Sequence, residues 1–235
     1  MSCFQGNSVC CHVHGFNPYF FVPAPDNFKK ENIRDFRMAL NSAVISDMKN
    51  NRDNVTDAVL HVEIQQKSTI YNFQGNKLMQ FLKITVAYPK LIAPAKRLLE
   101  KGEVPVKGFA NHTYRAFEAN IDFEIRFMAD TNVVGCNWIE LPKSKYKIRC
   151  ASDRGPDFDI KSRCQIEVDV GWDAFISHAP EGEWADVAPF RILSYDIECA
   201  GRKGIFPEAK VDPVIQIANM VIRQVNYLCS WYVAI

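Results

Sequence analysis

Two acidic residues, Asp196 and Glu198, stand two positions apart at the end of an apolar run, Ile192 to Tyr195. On a β-strand, side chains two apart point to the same face. The spacing therefore presents both carboxylates on one side, with Ile197 packing behind them. Carboxylate oxygens are the hard ligands that Mg²⁺ prefers. Two such ions, roughly 4 Å apart, can activate a water and stabilise a leaving 3′-oxygen in phosphodiester hydrolysis. The Asp-x-Glu triplet alone carries little weight, because about one is expected by chance in a chain this long. A second one, Asp122-Phe-Glu124, does occur, and its expected role is a solvated pair or a partner for Arg115 or Arg126.

The elements that would position Asp196 and Glu198 are legible around them. Ile192 to Tyr195 predicts a buried strand. Gly201 and Gly204 then break the pattern into a loop, and a second apolar run, Val214 to Ile222, suits an antiparallel partner. Arg202 and Lys203 lie in that loop, where solvated charge and contact with phosphate are both open to them.

The surroundings give the pair its specificity. Ser194-Tyr-Asp-Ile-Glu-Cys-Ala-Gly-Arg-Lys-Gly-Ile-Phe-Pro207, followed by Asp212-Pro-Val-Ile-Gln-Ile-Ala218, resembles the first exonuclease motif of the family B DNA polymerases. Upstream, the same resemblance runs through Ser8 to Phe16, Pro18 to Phe21, Phe117 to Asp130 and Gly135 to Pro142. It extends from about Gly6 to Arg223 and is strongest toward the replicative enzymes of eukaryotes. The resemblance implies a DNA-directed polymerase with a 3′-5′ proofreading exonuclease, a nuclear location, and DNA and accessory subunits as partners. It also implies that Asp196 and Glu198 are catalytic residues and ligands of a two-Mg²⁺ site.

Composition alone would not have suggested DNA. The 235 residues carry 28 basic and 27 acidic side chains, a formal charge of +1, so no overall basic excess marks a nucleic-acid binder. Hydrophobic content of 48% and charged content of 23% are ordinary for a globular chain. Eight cysteines without a secretory leader read as free thiols in a reducing compartment. No apolar stretch is long enough to span a membrane.

Taken in order, the chain opens with two strand-like runs, Val9 to Phe16 and Pro18 to Val22. Cys10, His12 and His14 alternate onto one face of the first. A metal site is one reading of that triplet; a half-buried strand with a wetter polar side is the other. A helix is expected from Asn27 to Met48, capped by Asp26 or Asn27, with Phe28, Ile33, Phe36, Leu40, Val44 and Met48 on its apolar face. Strands over Ala58 to Tyr71 and Met79 to Tyr88 are joined by a turn at Gln74 to Lys77. A second helix follows, Leu91 to Glu100, stopped by Gly102. Such a unit is α+β, and by resemblance it is like an RNA-recognition fold. Tyr19-Phe20-Phe21 could stack bases or fill a core. Phe117 to Met128 fits a strand or a short helix. Trp138 to Leu141, Tyr146 to Arg149 and Gln165 to Gly171 predict further strands, and Ala151 to Lys161 a loop.

The overall expectation is an α+β chain in three parts. A mixed, β-rich polymerase N-terminal domain occupies 1–188, with its boundary at Pro189. The first hairpin of a ribonuclease H-like exonuclease domain occupies 189–224, and a non-family tail 225–235. That tail is what read-through of an intron would give, since valine codons begin with GT and the departure falls at Val225. Met1 to Gln5 precede a segment that is internal in the family. The further aspartates of the exonuclease and the palm motifs are absent, so the chain alone is expected to be inactive. Besides this incomplete enzyme, a non-catalytic nucleic-acid- or subunit-binding module and an unstable truncated product remain open.

Overall fold

The computed structural model describes residues 7–48, 55–71, 75–109, 111–135, 137–149, 160–186, 188, 190–225 and 228–234. Residues 1–6, Cys136, Cys150, Gln74 of the expected turn, residues 151–159 of the expected loop and the boundary residue Pro189 lie outside these. The chain divides into two compact units, Met1–Ser177 and His178–Ile235. It is strand-rich and mixed, with three α-helices among the described residues.

The first unit is built around an antiparallel sheet of β2 (Tyr19–Pro23), β4 (Met79–Val86) and β3 (Val59–Lys67), in the order β2-β4-β3. Alternation along these strands separates two faces. Phe20, Val22, Val62, Leu82, Ile84 and Val86 point to one side and are fully or almost fully buried. Helix α1 (Asn32–Asp47) lays Phe36, Leu40 and Val44 onto that core, and α2 (Ile92–Glu100) adds Ala95, Leu98 and Leu99. Spacings of four residues keep the α1 trio on a single stripe, as the sequence pattern requires.

The expected helix from Asn27 starts late, at Asn32. Asn27 takes a left-handed φ of 65°, and Phe28 N–H bonds back to Pro25, so the chain turns before it coils. Neither expected cap serves, because Glu31 occupies the cap position without a side-chain bond. The helix is instead tied to the sheet by Asn41, whose Oδ1 accepts from Ala58 N–H at 2.7 Å and Val59 N–H at 2.9 Å. Gly102 ends α2 as expected, at φ 68°, and a side chain there would meet the Asn111 carbonyl at 3.0 Å.

The opposite face of the same sheet is closed by the chain itself. Phe117 pairs with Phe21 through two backbone bonds, N–H to O at 3.0 and 2.8 Å, and its ring packs on Phe81 at 5.4 Å. Phe21 and Phe81 are thereby buried. Of the aromatic run, Phe20 is core, Phe21 is buried beside its bridge partner Phe117 with the Lys67 ammonium over its ring, and Tyr19 is half-buried between the cations of Lys83 and Arg126. The core reading holds for Phe20 and Phe21, and Tyr19 stays half-exposed between its two cations.

Two smaller sheets complete this unit. β1 (Val9–His14) pairs in parallel with β7 (Ile166–Gly171), and β6 (Tyr146–Ile148) lies antiparallel on the other side of β7. β5 (Trp138–Glu140) pairs with β8 (Ile176–His178). The ambiguous segment after Phe117 resolves as helix α3 (Phe123–Thr131), ended by Asn132 in a left-handed conformation. None of its residues is fully buried, which is why its polar-apolar pattern does not choose between helix and strand.

The second unit is a three-stranded antiparallel sheet. β9 (Arg191–Cys199) and β10 (Val214–Val225) form the expected hairpin, with Asp196 opposite Ala218 and Glu198 opposite Gln216. β11 (Leu228–Ala234) extends it from the tail. The expectation of a buried strand at Ile192 to Tyr195 fails: Leu193 is 60% and Tyr195 71% exposed. Ile192 and Ile197 on the two faces are about half exposed as well. A single sheet exposes both faces unless a second layer covers them, and among the described residues of this unit no helix or second sheet does.

Candidate active site

Asp196 and Glu198 lie on one face of β9, held in register by the ladder to β10. Both are exposed. One Asp196 oxygen accepts from the Ile197 amide at 2.9 Å, which leaves its other oxygen open to solvent. Two hard, anionic ligands on one face suit a divalent cation. Their number falls short of a two-ion site: among the described residues no group of three or more His, Cys, Asp or Glu is placed to hold a metal. Two carboxylates alone do not make up such a ligand set.

The remaining acids of the loop are already engaged. Arg202 grips Asp212 with two bonds, Nε to Oδ1 at 3.2 Å and Nη2 to Oδ2 at 3.1 Å, and reaches Glu208 at 2.9 Å. Asp212 is buried and also accepts from the Glu208 amide at 2.8 Å. The Arg202 fork, with help from that amide, holds the Asp212 carboxyl below its usual range. Arg202 therefore clamps its own loop and is not a solvated charge waiting for phosphate. Lys203 is exposed.

The Cys10, His12 and His14 face of β1 meets two acids on β7. His12 Nε2 lies 2.8 Å from Glu167 and His14 Nε2 lies 2.5 Å from Asp169, both on β7. Arg149 donates to Asp169 through Nε at 2.8 Å and Nη2 at 2.6 Å. Glu167 is nearly inaccessible and is pulled down to about 2, first by the Ser162 hydroxyl and then by the Lys161 amide, His12 and the Ser162 amide, against the cost of burial. The Arg149 bonds likewise hold Asp169 well below the ordinary carboxylate range, with His14 adding to them. The histidine–acid pairs escaped sequence reasoning because their partners are 155 residues apart; the acids alternate on Glu167 and Asp169, the one signal that was present. Asp122 and Glu124 are exposed, and Arg126 pairs with Glu118 at 2.6 Å instead of either. Cys10, Cys11, Cys164 and Cys199 are free thiols.

Residues 114–231, half of the chain, match the profile of the DNA polymerase family B exonuclease domain. The chain belongs to the family B DNA polymerases. Residues 15–93 match the N-terminal domain of proteins like the DNA polymerase delta catalytic subunit. That subunit from Drosophila melanogaster is 59% identical over 220 residues, covering 94% of this chain and 20% of the relative. The Mesocricetus auratus subunit is 48% identical over 219 residues, covering 93% and 19%. This chain corresponds to the N-terminal region and the start of the exonuclease domain of those subunits, and spans about a fifth of their length. The solved family B DNA polymerase of the archaeon Pyrobaculum calidifontis shares the fold, with a TM-score of 0.50 at 21% identity over 93% of this chain and 22% of its own.

Proposed function

We propose that this chain is the N-terminal segment of a replicative DNA polymerase catalytic subunit, in which Asp196 and Glu198 are the first metal ligands of a 3′-5′ proofreading exonuclease. The observation that carries the reading is the pairing of both carboxylates on one face of β9, inside the stretch that matches the exonuclease profile. We place the start of the exonuclease portion at Pro189, the hairpin of its ribonuclease H-like sheet at 189–224, and a separate tail at 225–235. Bound Mg²⁺ would activate the attacking water and stabilise the leaving 3′-oxygen. The protein's own part is geometric: the β9–β10 ladder fixes the spacing of the carboxylates, and the Arg202–Asp212 clamp secures the loop that follows them. Primer-template DNA and accessory subunits are the partners this reading assigns, and the nucleus its location. Among the described residues, no helix is long and apolar enough to cross a membrane.

The test is excision of a mismatched 3′ end in Mg²⁺ by the complete catalytic subunit that carries this segment. Asp196→Ala there should slow excision roughly 100- to 1000-fold, the worth of several kcal/mol of metal-borne stabilisation. Unchanged excision would refute the assignment. The chain by itself should show none, since its described residues offer two carboxylates where a two-ion site needs more. A second reading, an association-prone product without activity of its own, is favoured by the uncovered apolar strands of the second unit.

A further inference from the structure

We propose that Arg202 and Asp212 are positioning residues for Glu198, and that they act through a β-bulge in the strand facing it. This role rests on the exonuclease proposed above for Asp196 and Glu198. The ladder between β9 and β10 is regular from Arg191 opposite Arg223 to Glu198 opposite Gln216. Its next pair is Cys199 opposite Val214, so β10 advances two residues where β9 advances one. Ile215 is the extra residue, and it falls in the step next to Glu198. Such an insertion bends its strand, raises the local twist and re-aims the side chains beside it. Asp196, opposite Ala218, stands in the regular part of the ladder, whereas Glu198 stands at the bulge.

A bulge must be held in place, because a slip of one residue turns the side chains of a strand to the other face. The loop supplies that hold. Among the described residues of the second unit Asp212 is the one that is buried, and it is a carboxylate. An ionised group is costly to bury unless an opposite charge and hydrogen bonds meet it. Asp212 has both, from Arg202 Nε and Nη2 at 3.2 and 3.1 Å and from the Glu208 amide at 2.8 Å. Pro213 follows with its φ fixed by the ring. Its carbonyl accepts from the Ala200 amide at 3.0 Å, which closes the loop just beyond the Cys199 and Val214 pair. Only Pro213 and Val214 stand between the clamped acid and Ile215.

An ion pair that merely closed a surface loop would contribute little, and it would need no buried acid. The return arm of the loop is wound on the same point: Arg202 Nη2 reaches Glu208 at 2.9 Å, and the Glu208 carbonyl accepts from the Val211 and Asp212 amides at 3.0 and 2.8 Å. The clamp also sorts the acids of the hairpin. Glu208 and Asp212 are taken up by Arg202, while Asp196 and Glu198 stay exposed on their strand. The guanidinium thus keeps the loop's carboxylates from competing for a cation and fixes the backbone on which Glu198 depends.

The experiment follows excision of a mismatched 3′ end by the complete catalytic subunit over a range of Mg²⁺ concentrations. Arg202→Ala should raise the Mg²⁺ needed for half-maximal excision about tenfold or more, the usual cost of losing a group that orients metal ligands. Saturating Mg²⁺ should restore most of the rate. Arg202→Lys, which keeps the charge and loses the fork, should fall in between. Lys210→Ala, which takes the same charge from an exposed site in the same loop, should leave the Mg²⁺ curve in place. A second measurement needs no metal: amide hydrogen exchange of the 235-residue chain in EDTA. There Arg202→Ala should speed exchange in 196–199 and 214–218 as well as in the loop, with α1 unchanged. Faster exchange confined to 200–213, or no change, would overturn the proposal, and so would an unmoved Mg²⁺ curve in Arg202→Ala. Normal excision by Asp196→Ala would instead sink the exonuclease itself. The two failures are told apart because the exchange measurement still reads the clamp's hold on the bulge.

Discussion

The β2-β4-β3 sheet and the β9-β10-β11 sheet are each three antiparallel strands rich in branched apolar residues, yet they end in opposite states. In the first, Phe20, Val22, Leu82 and Ile84 are buried to within a few per cent. In the second, Leu193, Tyr195, Ile215 and Ile217 are each more than half exposed. The difference lies in what is laid on them. The first sheet has α1 and α2 on one face, the Phe117 ring packed on Phe81 on the other, and the Phe117 backbone bridge along its β2 edge. The second has no covering layer among the described residues of its own unit. An apolar strand supplies surface that can be buried, and burial requires a second layer.

The largest expected effect tests that contrast directly. Phe36→Ala, at a site with no exposure, should cost about 3–5 kcal/mol, read as a shifted urea midpoint. Ile217→Ala should cost less than about 1 kcal/mol, in line with an exposed site. Equal losses would mean that the second sheet is covered in solution. Next, Ile215→Lys/Ile217→Lys should raise the soluble, monomeric fraction in size-exclusion chromatography while leaving the main urea transition in place. A drop in that transition would break the comparison from the other side.

The smallest effect concerns acid. Glu167 titrates at about 2 in the folded chain, below its ordinary value near 4.5. A depressed carboxyl contributes stability that is whole above the unfolded value and is lost as pH falls through the folded one. The melting temperature of the first unit should therefore decline between pH 4.5 and about 2, and Glu167→Gln should flatten that limb. An unchanged limb in the variant would remove Glu167 from the account.

Much of the fold could be read from local pattern. The stripe Phe36, Leu40, Val44 fixes α1, the β3–β4 hairpin follows from alternation and a Gly-Asn turn, and Asp196 and Glu198 fall on one strand face as their spacing dictates. Partnership at long range was not legible. Nothing near Cys10, His12 and His14 announces that Glu167 and Asp169 will face them, so the triplet read as a half-buried strand with a wetter polar side, with a metal site as the lesser alternative, and the ion pairs went unseen. The same limit applies to Arg202, whose partner Asp212 becomes apparent only when the loop closes. Burial was the other blind spot. Ile192 to Tyr195 has the composition of a core strand, and composition does not say whether a second layer is present.

The parallel pairing of Val9 with Ile166 sets a timetable for synthesis. A ribosome emits chain from the N-terminus, and the two strands are separated by 157 positions. At about 5–20 residues per second, β1 waits roughly 8–30 seconds for its partner to be translated. During that interval the compact helix-and-sheet core can assemble, because all its strands and both its helices lie before residue 101. β1, though translated 157 positions before its partner, is thus locked only after the core beside it can form. It spends the wait as an unpaired edge bearing two thiols, open to chaperones and to oxidants alike.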